Sequence, residues 1–428
     1  SAASDVYKRQ VYEGLKSYQS NINTKVSQDI DKINKLGHKI HELNQQISKI
    51  EAGGIETAMD LRDERDLALD QLGALAKISY KEDYKGVVTV KLEDEYFVDE
   101  LHTYEIGKKT DKLTGFITPY WPQLSDTDRD IYVNVFDFNV DISTALNSDV
   151  GELKALIMSR GDHWADYSDI EGKGEQEYLD TTNLSVIIDM QAKLDQMVHN
   201  MITAINDQLC PNVTGPVGVT YQDANGNTVN LSDAKVLDTE NCARGSDGEL
   251  PPRELFVRAG IERYTEVTGS DGKTYYVYNE EDTSDTSYMY SLTSCGVNEE
   301  LKKIETLFPH LKQNGEVDQQ LGERLEALWN KDLVGLDPTD PDECNIEEYY
   351  QKMIGGLATV GNVYQKKAEN LAGSVLTIEN NRQQVIGVSS DEELQNMIKF
   401  QNAYNASSRF MTVISDMIEH IVTRLGNG

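Results

Sequence analysis

The sequence predicts an α+β protein in which long helices near both ends of the chain bracket β-rich insertions. Two apolar seams at three-four spacing, one from Val11 to Ile50 and one starting at Ile346, indicate long helices. Between them the period changes to short runs rich in valine and tyrosine, which are typical of strands. We expect an elongated, multi-domain molecule in which the helices from both ends pair as a long antiparallel helical bundle or coiled coil.

The first helix is predicted from about residue 11 to residue 50. Its seam consists of Val11, Leu15, Tyr18, Ile22, Val26, Ile33, Leu36, Ile40, Leu43, Ile47 and Ile50, with Asp29 in the one polar slot. Gly53 and Gly54 end this helix, and a second helix is predicted from about Thr57 to Lys77. Residues 1–10 do not continue the seam and lack the apolar core of a cleavable signal peptide.

The middle of the chain predicts two β-rich insertions separated by helices. In the first, short apolar runs flank Gly86 and the acidic turn at 93–95, and residues 131–136 are a further strand candidate. In the second, Asn225-Gly226 and Asp271-Gly272 are typical of type I′ hairpin turns, whose central residues both need a positive φ. Residues 332–348 contain seven acids and no Lys or Arg, which predicts a solvated linker.

These patterns divide the chain into six parts. They are an N-terminal helical part (1–78), a β-rich inserted domain (79–148), helices of the bundle or domain junction (149–210), a variable β-rich outer domain (211–297), helices with an acidic linker (298–345) and a C-terminal helical part ending in a terminal assembly helix (346–428).

The last predicted helix, after residue 390, carries an apolar stripe too wide for one partner helix, so we expect it to be buried on more than one side. Its candidate contact residues are Leu394, Met397, Phe400, Tyr404, Phe410, Met411, Ile414, Met417, Ile418, Ile421 and Leu425.

The charge of the chain excludes two classes of partner. Forty Lys and Arg against 73 Asp and Glu give a formal net charge of −33. Such a chain is repelled by the phosphates of nucleic acids and by anionic lipid surfaces. No apolar run approaches the roughly 20 residues that cross a bilayer, so we expect neither a nucleic acid nor a membrane as partner.

The residues that could carry chemistry form no convincing site. The cysteines, Cys210, Cys242, Cys295 and Cys344, include no C-x-x-C pair, and the spacing leaves open whether a disulfide joins two of them. His38 and His41 share a helix face without a clear third metal ligand. Asp337, Asp340 and Asp342 are an alternative calcium cluster, although the linker interpretation explains them too. We therefore predict no enzyme, no metal and no cofactor.

Three stretches resemble the flagellar hook-associated protein 1 family, the hook–filament junction proteins. Residues 43–66 carry N-x-x-I, a short glycine gap and then the D-L-x-D-x-R-D pattern of Asp60 to Asp66. Residues 86–99 resemble the first β-hairpin of the family. Residues 382–409 resemble its G-V-[NS]-x-D-E-E and Q-x-A-Y-x-A-x-[AS]-R ending, of which the last part is shared by other axial proteins of the flagellum.

This resemblance covers roughly residues 11–210 and 320–428, and it implies a structural adaptor that joins hook to filament by self-assembly of its terminal helices. It implies export through the flagellar type III channel and a place in the extracellular flagellum. The implied partners are the hook protein, the second junction protein, neighbouring copies and an export chaperone on the C-terminal helix. Because the family begins with a further helical segment, we expect the chain to be N-terminally truncated.

Two other functions remain as alternatives. A secreted coiled-coil adhesin would use the insert at 211–297 to bind a surface ligand. A hydrolase in the same insert is disfavoured, because this insert contains no histidine and no recognisable pairing of a nucleophile with a base.

Overall fold

The computed structural model describes residues 2–53, 57–138 and 150–386, and also residues 401, 407, 408, 411 and 414. The chain divides into two compact units. The N-terminal unit contains residues 13–165 and 176–191, and the C-terminal unit contains residues 1–12, 166–175 and 192–428. Both units combine helices with short antiparallel strands, so the predicted α+β class is confirmed.

The helices within the described ranges are α1 (Ala2–Glu51), α2 (Met59–Leu75), α3 (Glu152–Arg160), α4 (Glu175–Asp180), α5 (Val186–Leu209), α6 (Glu299–Lys303), α7 (Gln319–Ala327) and α8 (Ile346–Ile386). The strands are β1 (Ile78–Glu82), β2 (Val88–Leu92), β3 (Glu95–Val98), β4 (Gly107–Thr110), β5 (Ile117–Tyr120), β6 (Asn212–Thr214), β7 (Thr220–Gln222), β8 (Thr228–Asn230), β9 (Lys235–Leu237), β10 (Phe256–Arg258), β11 (Tyr264–Thr268), β12 (Thr274–Tyr278) and β13 (Cys295–Val297).

The apolar seam of α1 is buried inside the N-terminal unit. Leu43 and Ile47 pack with Ala58 and Leu61 at the start of α2. Further along, the ring of buried Phe97 on β3 lies so close to Gly37 that a Cβ there would be 2.7 Å from Cζ. The sequence prediction paired this seam with the C-terminal helices; over residues 37–47, β3 and the start of α2 in the same unit cover it. Three-four spacing identifies a buried face but does not identify the element that buries it.

The first predicted β insertion is present over residues 78–120. Strands β1, β2 and β3 form an antiparallel sheet in that order, and β4 pairs with β5. The β2–β3 turn places Glu93 and Asp94 at φ values of 48° and 68°. Two non-glycine residues in the left-handed region are uncommon and cost conformational energy.

The strand predicted at 131–136 is wrong. This segment makes only isolated bridges, such as the one between Tyr120 and Asn134. The Val133 N–H donates to Oγ of Ser125, and the Val135 N–H donates to the carbonyl of Pro119. Because the Val133 N–H bonds a side chain and the Val135 N–H bonds the main chain of β5 at a single point, no continuous ladder forms along the segment.

The C-terminal unit is built around α5 and a four-stranded antiparallel sheet in the order β11-β12-β9-β6. Hairpins at Asn225-Gly226 and Asp271-Gly272 are confirmed between β7 and β8 and between β11 and β12. Their type differs from the predicted type I′, because only the glycines have a positive φ, of 81° and 78°. Each turn is a three-residue loop in which glycine supplies the left-handed position.

Buried arginines support this unit, a feature that the sequence analysis did not predict. Arg258 and Arg263 are each 4% exposed and lie against the rings of Tyr278 and Tyr290. The Tyr290 hydroxyl donates to Glu254 at 2.5 Å. All four cysteines are buried free thiols, so no disulfide joins any of them.

The acidic segment at 332–345 is not simply a solvated linker. Leu336, Asp337 and Cys344 are buried. The Cys344 N–H donates to the Val334 carbonyl, which folds the segment back on itself. Its acid content suggested solvation, but one carboxylate is paired with a buried lysine and the apolar residues beside it pack inward. The domain boundaries drawn from the sequence stay a prediction.

Candidate assembly surface

Helix α8 is anchored at its first turn by buried polar contacts. Tyr349 is fully buried, and its hydroxyl lies 2.9 Å both from the Lys193 carbonyl oxygen and from Oε1 of Gln196 on α5. Nearby, the Lys193 ammonium pairs with Asp337 at 2.9 Å, with both side chains almost fully buried. Burial disfavours the Asp337 carboxylate, but hydrogen bonds from Thr339 and Lys193 outweigh it and lower its pKa. Asp337 is therefore held as the counterion of Lys193.

The apolar seam of α8 is covered at its start and open further along. Tyr349, Met353 and Leu357 are buried. The same face continues at steps of three or four residues, with one double step from Tyr364 to Leu371, and its larger apolar residues are solvent-exposed: Val360 (38%), Tyr364 (59%), Leu371 (65%), Val375 (51%) and Ile378 (65%). We call these five residues the open seam. A continuous apolar line on an exposed helix is typical of a surface that binds another protein.

Two of the contact residues predicted in the last helix fall within the described positions. Met411 and Ile414 are both half-buried. A Cβ at Gly361 would lie 2.5 Å from Cε of Met411, so the methionine packs directly on the α8 backbone there. One residue step turns a helix by about 100°. Gly361 follows Val360, so this contact lies beside the open seam and does not cover it.

The other predicted contact residues lie outside the described residues, and their role stays a prediction. They are Leu394, Met397, Phe400, Tyr404, Phe410, Met417, Ile418, Ile421 and Leu425.

The motif at residues 43–66 is explained by hydrogen bonds that hold the N-terminal unit together. Arg65 is 1% exposed and donates to Asn44 Oδ1 and to the Gly86 carbonyl, at 3.2 and 2.6 Å. Asn44 in turn accepts from the Val88 N–H and donates to the Val88 carbonyl. These contacts join α1, α2 and the β1–β2 turn, so the motif acts in folding.

A second contact of the motif fastens the end of α1. Arg62 donates to both carboxylate oxygens of Glu51, at 2.7 and 2.6 Å, and also to Glu82 on β1. The hydrogen bonds from Arg62 lower the pKa of Glu51 to about 2. The pair therefore stays ionised well into the acidic range.

Three asparagines on α1, which the sequence analysis missed, hold the following loops and strands in place. Asn23, Asn34 and Asn44 each use both ends of the side-chain amide on main-chain atoms. Asn34, for example, accepts from the Ile106 N–H at 2.9 Å and donates to the Ile106 carbonyl at 3.0 Å. Their spacing of 11 and 10 residues is close to three helical turns, so they share a face. The recurrence of asparagine at this helical spacing was the signal from which the sequence could have identified these contacts.

The two histidines considered as metal ligands, His38 and His41, contact other groups. His38 contacts Glu105 at 2.6 Å, and His41 contacts the Asp99 carbonyl at 3.2 Å. Across the described ranges, no group of three or more His, Cys, Asp and Glu side chains could hold a metal ion. An open cleft of about 630 Å³ contains carboxylates such as Glu93 and aromatic residues such as Trp121, but none of its lining residues is a Ser, Cys or His. Among the helices of the described ranges, none combines the length and the apolar composition that a bilayer-spanning segment requires.

Comparisons with known proteins identify the family. A family model described as the flagellar hook-associated protein FlgK helical domain matches residues 7–219, about half of the chain. Flagellar hook-associated protein 1 of Bacillus subtilis (strain 168) is 23% identical over 438 residues, covering 98% of this chain and 69% of that protein. The chain belongs to the flagellar hook-associated protein 1 family.

Two further comparisons gave matches. The flagellar basal body rod FlgEFG protein C-terminal family matches residues 383–424 of this chain. The solved structure of the flagellar hook junction protein FlgK from Burkholderia pseudomallei is 14% identical, with a TM-score of 0.38. That match covers 71% of this chain and 53% of the solved one.

Membership confirms the resemblance that the motifs indicated. It places the chain among the structural proteins of the bacterial flagellum at the hook–filament junction. The network of Asn44 and Arg65 lies inside the matched helical domain, and the open seam of α8 lies between the two matched regions.

Proposed function

We propose that this chain is a non-enzymatic adaptor that joins hook to filament in the extracellular flagellum through association of its terminal helices with neighbouring subunits. The observation that carries the proposal is the open seam of α8, which continues the buried line of Tyr349, Met353 and Leu357 with side chains that are 38–65% exposed. Family membership supplies the setting in which such a helix meets other subunits.

The proposed partners follow from this setting. They are the hook protein, the second junction protein and neighbouring copies of this chain, and an export chaperone is the partner proposed for the C-terminal stripe before assembly. No observation on the described residues favours the adhesin alternative for residues 211–297.

The open seam offers enough apolar surface to matter in assembly. Its five side chains are between 38% and 65% exposed. Full burial of such a side chain contributes about 1.5–3 kcal/mol. Covering the exposed half of all five therefore contributes about 5 kcal/mol, before the cost of ordering the partners. A single charge placed in the middle of the open seam would remove much of this stabilisation.

A pair of charge substitutions on opposite faces of α8 tests the proposal. Leu371→Glu places a carboxylate in the open seam, whereas Asn362→Glu places the same group on the far face, at an exposed position. In a strain that lacks its own copy, we expect Leu371→Glu to leave hooks without filaments and Asn362→Glu to support normal filaments. Electron microscopy of the hooks and swimming in soft agar measure both.

The fold must be unchanged for this comparison to hold. Position 371 is 65% exposed, so both variants should keep the circular dichroism and the unfolding transition of the parent protein. Normal filaments on the Leu371→Glu strain would contradict an assembly role for the open seam.

A further inference from the structure

Two Asn-Gly pairs lie at the tips of exposed turns with the same backbone, and only one of them is held by its side chain. In the first turn, Gly315 has a φ of 81° and its N–H donates to the Lys312 carbonyl at 2.9 Å. The Asn314 side chain accepts from the Glu316 N–H at 3.0 Å and donates to the Glu316 carboxylate at 2.9 Å. These two bonds hold the Asn314 amide away from the Gly315 nitrogen.

The second turn repeats this backbone with a different arrangement of side chains. Gly226 also has a φ of 81°, and its N–H donates to the Asp223 carbonyl at 3.0 Å. Here the N–H of Asn227, which corresponds to that of Glu316 in the first turn, donates to Asp223 Oδ1 at 2.7 Å. Asp223 therefore accepts from the Asn227 N–H, the group to which the Asn225 side chain would otherwise bond. In the described part of the chain, no hydrogen bond involves the Asn225 side chain.

We propose that Asn225 is a site of spontaneous deamidation in the folded protein, that Asn314 is protected, and that Asp223 causes the difference. Both asparagines are exposed, both precede glycine, and both glycine N–H groups are bonded alike. Glycine has no Cβ to obstruct ring closure on its nitrogen. What distinguishes the two sites is the freedom of the side-chain amide to approach that nitrogen.

The reaction needs only water. The deprotonated main-chain nitrogen of Gly226 attacks Cγ of Asn225, the new C–N bond closes a succinimide ring, and the amide nitrogen leaves as ammonia after taking up a proton. Water then opens the ring at one of its two carbonyls, which leaves either an aspartate or an isoaspartate. Each product adds a negative charge to the β7–β8 turn, and the isoaspartate also adds a carbon to the main chain.

Peptide mapping by mass spectrometry tests the proposal on the full chain during incubation in mildly alkaline buffer. Breaking the two hydrogen bonds of Asn314 should slow its reaction about tenfold relative to Asn225. In urea-unfolded protein the two sites should react at the same rate, because the turns no longer exist. Equal rates at Asn225 and Asn314 in the folded protein would overturn the proposal.

A substitution separates the role of Asp223 from that of the surrounding sequence. Asp223→Ala frees the Asn227 N–H for the Asn225 side chain, so the rate at Asn225 should fall towards the rate at Asn314. Asp271→Ala removes the carboxylate that accepts from the equivalent N–H, that of Lys273, in the β11–β12 turn; it is the control and should leave Asn225 unaffected. An unchanged rate at Asn225 in the Asp223→Ala variant would refute the assigned cause.

Discussion

Replacing Asn44 with alanine removes the most buried of the three asparagine contacts on α1. Asn44 is 2% exposed, and its side chain bonds both main-chain groups of Val88, at 2.8 and 3.0 Å. Val88 is also 2% exposed, so water cannot easily replace the lost partners. Arg65 loses an acceptor as well. The variant therefore leaves a buried N–H and a buried carbonyl without their bonds.

The expected loss of stability follows from these two groups. A buried donor or acceptor left unpaired costs about 1–3 kcal/mol, so Asn44→Ala should lower the free energy of unfolding by about 3–5 kcal/mol. Alanine favours a helix over asparagine by about 0.5 kcal/mol. The matched control, Asn21→Ala, lies on the same helix at an exposed position, so it gains the same helix propensity without losing a buried contact.

The measurement is urea unfolding followed by tryptophan fluorescence in a Trp329→Phe background. The remaining tryptophans, Trp121 and Trp164, both belong to the N-terminal unit. With a slope of about 2 kcal/mol per molar urea, Asn44→Ala should lower the midpoint by about 2 M. If Asn44→Ala and Asn21→Ala unfolded at the same midpoint, the contact to Val88 would not stabilise this unit and the reasoning would be refuted.

Two further experiments test the packing of the N-terminal unit and the charge of the C-terminal unit. Gly37→Ala places a methyl group 2.7 Å from the buried ring of Phe97, so it should lower the free energy of unfolding of the N-terminal unit by about 1–3 kcal/mol. Gly73→Ala has its nearest neighbour at 3.6 Å and should raise that free energy by up to about 1 kcal/mol. Urea midpoints in the opposite order would contradict this packing. Burial raises the pKa of Asp195 to about 7, from an ordinary value of 3.8. The folded C-terminal unit thus retains a proton that the unfolded chain releases near pH 4, so its stability should fall as the pH rises from about 4 to 7, by up to about 1.4 kcal/mol per pH unit. Thermal unfolding across this range should show that slope in the parent protein and a flatter profile in Asp195→Asn; identical profiles would exclude Asp195 as the source.

The long helices were predictable because their signal is repeated many times. The seam of α1 was predicted from residue 11 to 50, and the helix extends from Ala2 to Glu51. The cover of this seam was not predictable in the same way. The strands that lie on α1 are four or five residues long, and short apolar runs do not record which helix they contact.

The strand predicted at 131–136 shows a different limit. Ile131, Val133 and Val135 alternate as in a half-buried strand, but the pattern describes side chains while a strand depends on main-chain partners. Here the Ser125 side chain takes the Val133 N–H, and only the Val135 N–H reaches the main chain of β5, at Pro119. The local sequence contains no sign of this competition.

The candidate assembly surface was predicted in part. The open seam of α8 lies on the apolar seam that the sequence predicted to start at Ile346, and the structure adds that its side chains are exposed from Val360 onward while Leu357 is buried. Burial depends on neighbours distant in the chain, such as Lys193 and Gln196 on α5, which bond the hydroxyl of Tyr349 in the first turn of α8. Their pairing across more than a hundred residues leaves no local pattern.

The asparagine contacts on α1 restrict how this protein can change in length. Inserting one residue between Asn23 and Asn34 would rotate everything beyond it by about 100° and shift it by about 1.5 Å. Asn34 and Asn44 would then turn away from the main-chain groups they bind. Only insertions close to a whole number of turns, such as 7 or 11 residues, return both side chains to their original face, and these would still demand longer loops between β3 and β5. Helix and loops can therefore lengthen only together, whereas the exposed turns of the C-terminal unit are free of this constraint.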